Sequence, residues 1–200
     1  MSEPTRIGVA SPRPYESSVL GPPMSDAEWQ ACDDPRPMLS AVCGRVSDRT
    51  LRTFAVACVR RVWHLLRDER ARRAVEAAEA FLTGQITGDE LAEAKAAITG
   101  VPPLLDHRPG DDGAFGGAWY ASGESSWYAA WYGCRHAAEA VGEVAREAAD
   151  LDWDDDFVAA HRAANTIAAR ARDAELVVQA SLLRDLIGPC GETIDTAVLG

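Results

Sequence analysis

Apolar residues recur at three- and four-residue steps between Ser47 and Asp68. Leu51, Phe54, Ala55, Cys58, Val62, Leu65 and Leu66 make one stripe, and Arg49, Arg52, Arg60 and Arg67 lie largely off it. The pattern predicts an amphipathic helix capped by Ser47 and running on through Leu66. Asp68 opens a second helix, with Ala71, Val75, Ala78 and Leu82 inward and Gly84 as its stop. Upstream, Ser25 and Glu28 have the spacing of a capping box ahead of a short helix carrying Trp29. Asp34 followed by Pro35 is another start signal, because the missing proline N–H costs nothing at the first helical position. That helix turns Met38, Leu39 and Val42 inward and stops near Gly44. Thr87 and Glu90 form a further capping box, opening a helix that ends at Gly100. Long helices are expected from about Ser125 to Ala149 and from about Asp154 to Leu186, closed by Gly188 and Pro189.

Two stretches break this periodicity. Residues 1–23 hold five prolines and no pattern, as an irregular or mobile leader would, which makes Met24 a candidate start codon. Residues 100–123 hold three prolines and six glycines and read as a hinge or loop. Nothing alternates with period two over a useful length, so no sheet is expected. The prediction is a single all-α domain of six or seven antiparallel helices over residues 24–188, followed by a tail at 189–200.

At 47% apolar residues the chain can bury a sizeable core, which argues against disorder throughout. Five cysteines (Cys32, Cys43, Cys58, Cys134 and Cys190) without a C-x-x-C suit a reducing cytoplasm. No secretory signal opens the chain, and no apolar run nears the roughly 20 residues that cross a bilayer, so no membrane association is expected. The net charge of −11 is unevenly spread. Nine arginines stand against three acids between Arg45 and Arg73, whereas fifteen acids stand against four bases between Gly84 and Ala160. Either the basic segment is a surface for an anionic partner, or the two halves pair within the folded domain, which is the simpler reading. A pI near 4.8 disfavours general nucleic-acid binding.

The most unusual cluster is aromatic: Trp119 with Tyr120, Trp127 with Tyr128, and Trp131 with Tyr132. Trp127 and Trp131 share one helix face, and Tyr128 and Tyr132 share the next. One face can be a protein-contact or stacking surface, unless one packs inward and the other lies beneath the glycine-rich segment. The acids Asp150, Asp152, Asp154, Asp155 and Asp156 resemble half a calcium loop, but the sixth position is Asp155 rather than glycine and the twelfth is His161 rather than Glu. A charged helix start explains them more simply.

Candidate chemistry is sparse. Cys134 and His136 point roughly 200° apart on a helix and cannot act as a nucleophile–base pair. His136 and Glu139 have metal-sharing spacing, yet the rest of a di-iron set is missing. The phosphate-binding glycine loops are absent, and Gly123 to Trp127 lacks the second glycine of a nucleophile elbow. The sequence therefore nominates no catalytic residue, no metal ligand and no cofactor.

Several segments resemble an uncharacterised helical family of Gemmata-like planctomycetes. The likeness rests on Trp29, Cys32, Asp34, Pro35, Met38 and Leu39, and then on Ser47, Asp48, Arg49, Leu51, Arg52, Phe54, Ala55, Ala57 and Cys58. It continues through Arg60, Arg61, Trp63, His64, Leu65 and Leu66, through Asp68 to Arg70 and Ala74 to Glu79, and ends on Ser181 to Gly188. It spans roughly residues 24–188 and departs after Gly188, where Pro189 and Cys190 replace the family's Asn-Pro-Phe-type segment. The resemblance implies an alanine- and tryptophan-rich helical protein and carries no established activity. In its hallmark run, Arg60, Arg61, Trp63 and His64 look structural.

The leading expectation is a non-enzymatic protein-interaction or regulatory module of the cytoplasm. Its candidate contact residues are Trp127, Tyr128, Trp131, Tyr132, Arg60 and Arg61, and its partner would be a protein. A nucleic-acid-associated protein using the arginines of residues 45–73 is the alternative. Less favoured is a metal-dependent helical enzyme around His136, Glu139 and His161.

Overall fold

The caps written in the sequence set where the helices begin. Ser25 and Glu28 close a reciprocal capping box on α1 (Asp26–Ala31), and Asp34 accepts the Arg36 amide at the start of α2 (Pro35–Val42). Ser47 accepts the Thr50 amide on α3 (Asp48–Arg61), and Asp68 accepts the Arg70 amide on α4 (Glu69–Leu82). Thr87 and Glu90 box the start of α5 (Gly88–Ala96). Ser125 caps α7 (Ser126–Glu147) and Asp156 caps α8 (Phe157–Ile187) through their side chains. Each such cap satisfies an otherwise orphaned amide and contributes about 1 kcal/mol.

The computed structural model describes residues 22–99, 108–149, 151 and 156–189. It is a single all-α domain: the described residues form eight helices and a 3-10 turn at Trp63–Leu65, and no strand. Most of the leader and the tail, and the acids at 150 and 152–155, lie outside those residues.

Two expectations are corrected. The stripe from Leu51 to Leu66 is not one helix, because α3 stops at Arg61 and the chain tightens into the 3-10 turn. Val62 and Leu66, which flank the turn on either side, stay buried all the same. The glycine-rich segment is not all loop either. Residues 111–121 form α6 (Asp111–Ala121), the helix the composition hid.

The glycines of α6 are there for packing. A Cβ on Gly113 would come within 2.8 Å of the Ala140 amide nitrogen and of the His136 carbonyl oxygen on α7. One on Gly117 would come within 3.1 Å of Val59 on α3. Gly110, at φ 87°, turns the chain into α6 and donates its N–H to Glu143 at 3.0 Å. Helix α7 is the hub: α3, α6 and α8 all pack on it, and α2 touches it as well. Its stripe facing these neighbours is small, with Ala130, Gly133, Cys134, Ala137 and Ala140 buried. The core beneath is completed by Trp29, Met38, Leu39, Phe54, Leu66, Val75 and Leu183. At the far end, the Trp29 indole N–H donates to the Gly188 carbonyl (3.0 Å), and Arg184 donates to the carbonyls of Trp29 (3.2 Å) and Cys32 (2.7 Å). These bonds pin α1 to the end of α8.

Gly113→Ala and Gly116→Ala separate packing from propensity. Both gain roughly 1 kcal/mol of helix propensity. At 113 the new methyl meets backbone, so a net loss of about 1–2 kcal/mol is expected, a fall of several degrees in Tm. At 116 its nearest neighbours are atoms of the His136 ring, the closest at 2.9 Å, and a side chain can turn aside. Thermal denaturation should therefore rank Gly113→Ala well below Gly116→Ala.

Candidate interaction surface

Helix α7 sorts its aromatic residues to two flanks. On one, Trp127 is buried in the core, and Trp131 stacks on it with ring centroids 5.1 Å apart and planes 18° apart. On the other, Tyr128, Tyr132 and His136 follow at four-residue steps and are half-buried. Tyr120 of α6 joins this second flank, stacked on Tyr132 at 4.5 Å and on His136 at 5.4 Å. Tyr128 continues the row at 5.8 Å from Tyr132. Trp119 meets Tyr120 edge-on at 4.8 Å, and the Lys95 ammonium sits 4.0 Å from the Trp119 ring centroid. Between α5, α6 and the start of α7 these side chains wall an open cleft of about 480 Å³, lined by Lys95, Trp119, Tyr120, Glu124, Tyr128 and Tyr132.

The turn below the cleft is held by a residue that the sequence placed off the apolar stripe. Arg52 of α3 is buried, and its guanidinium donates to the carbonyls of Ala121 (2.9 Å), Gly123 (2.6 Å) and Glu124 (3.2 Å). Those carbonyls lie at the end of α6 and in the turn to α7, where helical partners run out. Ser126 adds a bond to Asp48 at 2.6 Å. Thus α3 fixes the angle at which the two aromatic-bearing helices meet.

The remaining candidates, Arg60 and Arg61, are paired within the fold. Arg60 makes a two-pronged pair with Glu79, its Nε 2.6 Å from Oε1, and its guanidinium carbon lies 3.8 Å from the Trp63 ring centroid. Arg61 pairs with buried Glu175 of α8 at 2.6 and 2.8 Å, and Glu175 also accepts from Gln179 at 3.1 Å. Arg67 reaches Asp111, Arg70 holds Asp68, and Arg72 holds Glu69 and the Leu66 carbonyl. With Arg52, and with Arg73 donating to the Glu69 carbonyl at 3.3 Å, seven of the nine arginines between residues 45 and 73 have internal partners, which weakens the case for a nucleic-acid surface there.

Among the described residues no reactive constellation replaces them. Burial pushes the Cys134 thiol up to about 12 and the Cys58 thiol well above its ordinary value, so neither supplies a thiolate at neutral pH. His136 Nδ1 lies 3.4 Å from Glu139 Oε2, and His161 stacks on Phe157 at the start of α8. Among the described residues no three His, Cys, Asp or Glu side chains are grouped as metal ligands would be. Likewise among them, no helix is long and apolar enough to cross a membrane. No protein-family model, curated protein or solved structure matches the chain.

The packing of His136 sets a pH response. Burial lowers its pKa, against the opposing pull of the Glu139 carboxylate. The folded protein therefore holds the ring neutral, while the unfolded chain takes up a proton near the ordinary value of about 6.5. Stability from this group is full above that value and is lost as pH falls through it toward the lower folded pKa. Thermal melts from pH 7.5 to 5.5 should show a decline that is flatter in His136→Gln. Removing the carbonyl clamp is a separate test. Arg52→Ala orphans three carbonyls and should cost about 2–4 kcal/mol, read by chemical denaturation.

Proposed function

We propose that this chain is a non-enzymatic protein-interaction module and that the tyrosine flank of α6 and α7 is its contact surface. The observation that carries the reading is the stacked, half-buried row Tyr128, Tyr132, Tyr120 and His136, whose three tyrosines line an open cleft. Tyrosines offer large rigid contact area with a polar tip and lose little entropy on binding, which is why they are enriched at protein contacts. The ladder is fixed in advance by ring stacking and by Arg52, so a partner would not have to order it. Kinship with the helical planctomycete family is part of the same proposal and rests on the matching residues alone.

This reading moves the interaction from the tryptophans to the tyrosines. Trp127 belongs to the core, so Trp127→Ala should cost about 3–5 kcal/mol and abolish function by unfolding. The tyrosine variant Tyr120→Ala/Tyr132→Ala should keep its helical circular dichroism. In affinity capture from the host lysate after nuclease treatment, it should lose the stoichiometric partner that the unmodified protein retains. A partner retained equally by both would refute the tyrosine surface. A partner lost from both on nuclease treatment would favour nucleic acid.

A further inference from the structure

A second cleft lies on the neighbouring flank of α7, where α2, α7 and α8 meet. We propose that it binds a planar aromatic phosphate, of which a nucleoside monophosphate is the simplest form. The cleft has a volume of about 450 Å³, within the roughly 300–1,000 Å³ typical of small-molecule sites. Three guanidiniums line it from three helices: Arg36 from α2, Arg135 from α7 and Arg172 from α8. The Trp131 indole and the carboxylates of Glu139 and Asp173 complete the wall. This inference is independent of the tyrosine surface, whose residues line a different cleft.

The three arginines are held in place before any ligand arrives. Arg36 is clamped by Asp34, with Nε 2.9 and 3.0 Å from its two oxygens and Nη2 at 2.6 Å, and Asp34 is itself fixed as the α2 cap. Arg135 leans on Glu139 through Nε at 2.8 Å. The stem of Arg172 lies across α7 at Gly142, where a Cβ would come within 2.6 Å of Arg172 Cγ and 3.0 Å of the Ala168 carbonyl. Only glycine leaves that groove open. A guanidinium carries five N–H groups, so these arginines can take a further acceptor without giving up their present pairs.

The chemistry of the wall selects the ligand. Forked guanidiniums match phosphate oxygens in pairs, and a phosphate carries close to two negative charges at neutral pH. Arg36 also lies near enough to Arg135 to disfavour its charge, although the Glu139 hydrogen bond more than compensates. An anion seated between the two would turn that repulsion into attraction. Trp131 is braced by its stack on buried Trp127 and gives a rigid flat wall for an aromatic ring. Glu139 and Asp173 are acceptors for the amino or hydroxyl groups that such a ligand carries.

Isothermal titration of the full chain with adenosine monophosphate, adenosine and inorganic phosphate at low salt tests this. Adenosine monophosphate should bind one to one and at least tenfold more tightly than either fragment. Arg135→Ala and Arg172→Gln should each weaken it tenfold or more; both positions are exposed, and glutamine keeps part of the stem in the Gly142 groove. Helical circular dichroism should stay unchanged in both. Absence of binding to the intact chain would overturn the proposal. Equal affinity for adenosine would remove the role of the arginines, and equal affinity for phosphate the role of Trp131, so either would overturn it too. Affinity unmoved by both arginine variants would do the same.

Discussion

The closeness of α6 to α7 is the constraint from which the rest of the architecture follows. At Gly113 the two helices approach backbone to backbone, with no side chain between them. A contact of this kind draws on dispersion over many atom pairs and tolerates no added methyl. It also fixes where bulky residues can go. The stripe of α7 that meets its neighbours must be small, so the large aromatic side chains are displaced to its two flanks. Trp131, stacked on core Trp127, falls toward α2 and α8, and Tyr132 and His136 fall beside Tyr120 of α6. Both clefts are therefore by-products of one packing decision.

Arg52 makes that decision durable. A tight helix pair leaves the connecting turn with carbonyls that neither helix satisfies, and burying them unpaired would cost about 1–3 kcal/mol each. One guanidinium with a fixed fork of donors answers three of them at once. It is drawn from α3, the helix that also abuts Gly117 through Val59 and Gly133 through Ala55. The same helix thus supplies the apolar floor under α6 and α7 and the polar staple for their turn. Arg61 repeats the idea at longer range, tying α3 to α8 through buried Glu175.

Local signals in the chain were legible where their physics is local. Ser25, Asp34, Ser47 and Thr87 cap the helices they were expected to cap, and Asp68 and Ser125, expected near helix starts, cap theirs, because a cap depends on three or four adjacent residues. Helix α6 was not legible, since glycine carries opposite meanings in a loop and at a close helix contact. Gly113 and Gly117 at a four-residue step were the available clue. The role of Arg52 was hidden for a similar reason: its partners are backbone carbonyls about 70 residues away, and no side-chain pattern encodes them. For the aromatic cluster, spacing assigned Trp127 with Trp131 and Tyr128 with Tyr132 to separate faces. Which face is core depends on the positions of α2, α6 and α8, and that is tertiary information.

Charge behaves differently from its linear distribution. The basic segment at residues 45–73 does find internal partners, but mostly near ones. Arg60, Arg70 and Arg72 pair with Glu79, Asp68 and Glu69, while the Arg67–Asp111 pair draws on the acidic stretch from Gly84 to Ala160. Asp89, Glu93, Glu124 and Glu147 from that stretch are exposed. Neutralising the arginines in this way leaves the acidic field of α5 to α7 standing, and Glu124 carries it to the edge of the tyrosine cleft. Surface potential of one sign speeds the approach of partners of the other and repels like-charged ones. If the tyrosine flank is the contact surface proposed above, a basic or neutral partner suits it better than an acidic one. The arginine-lined cleft at α2, α7 and α8 is the local exception, where an anion meets guanidiniums before it meets the field of the whole molecule.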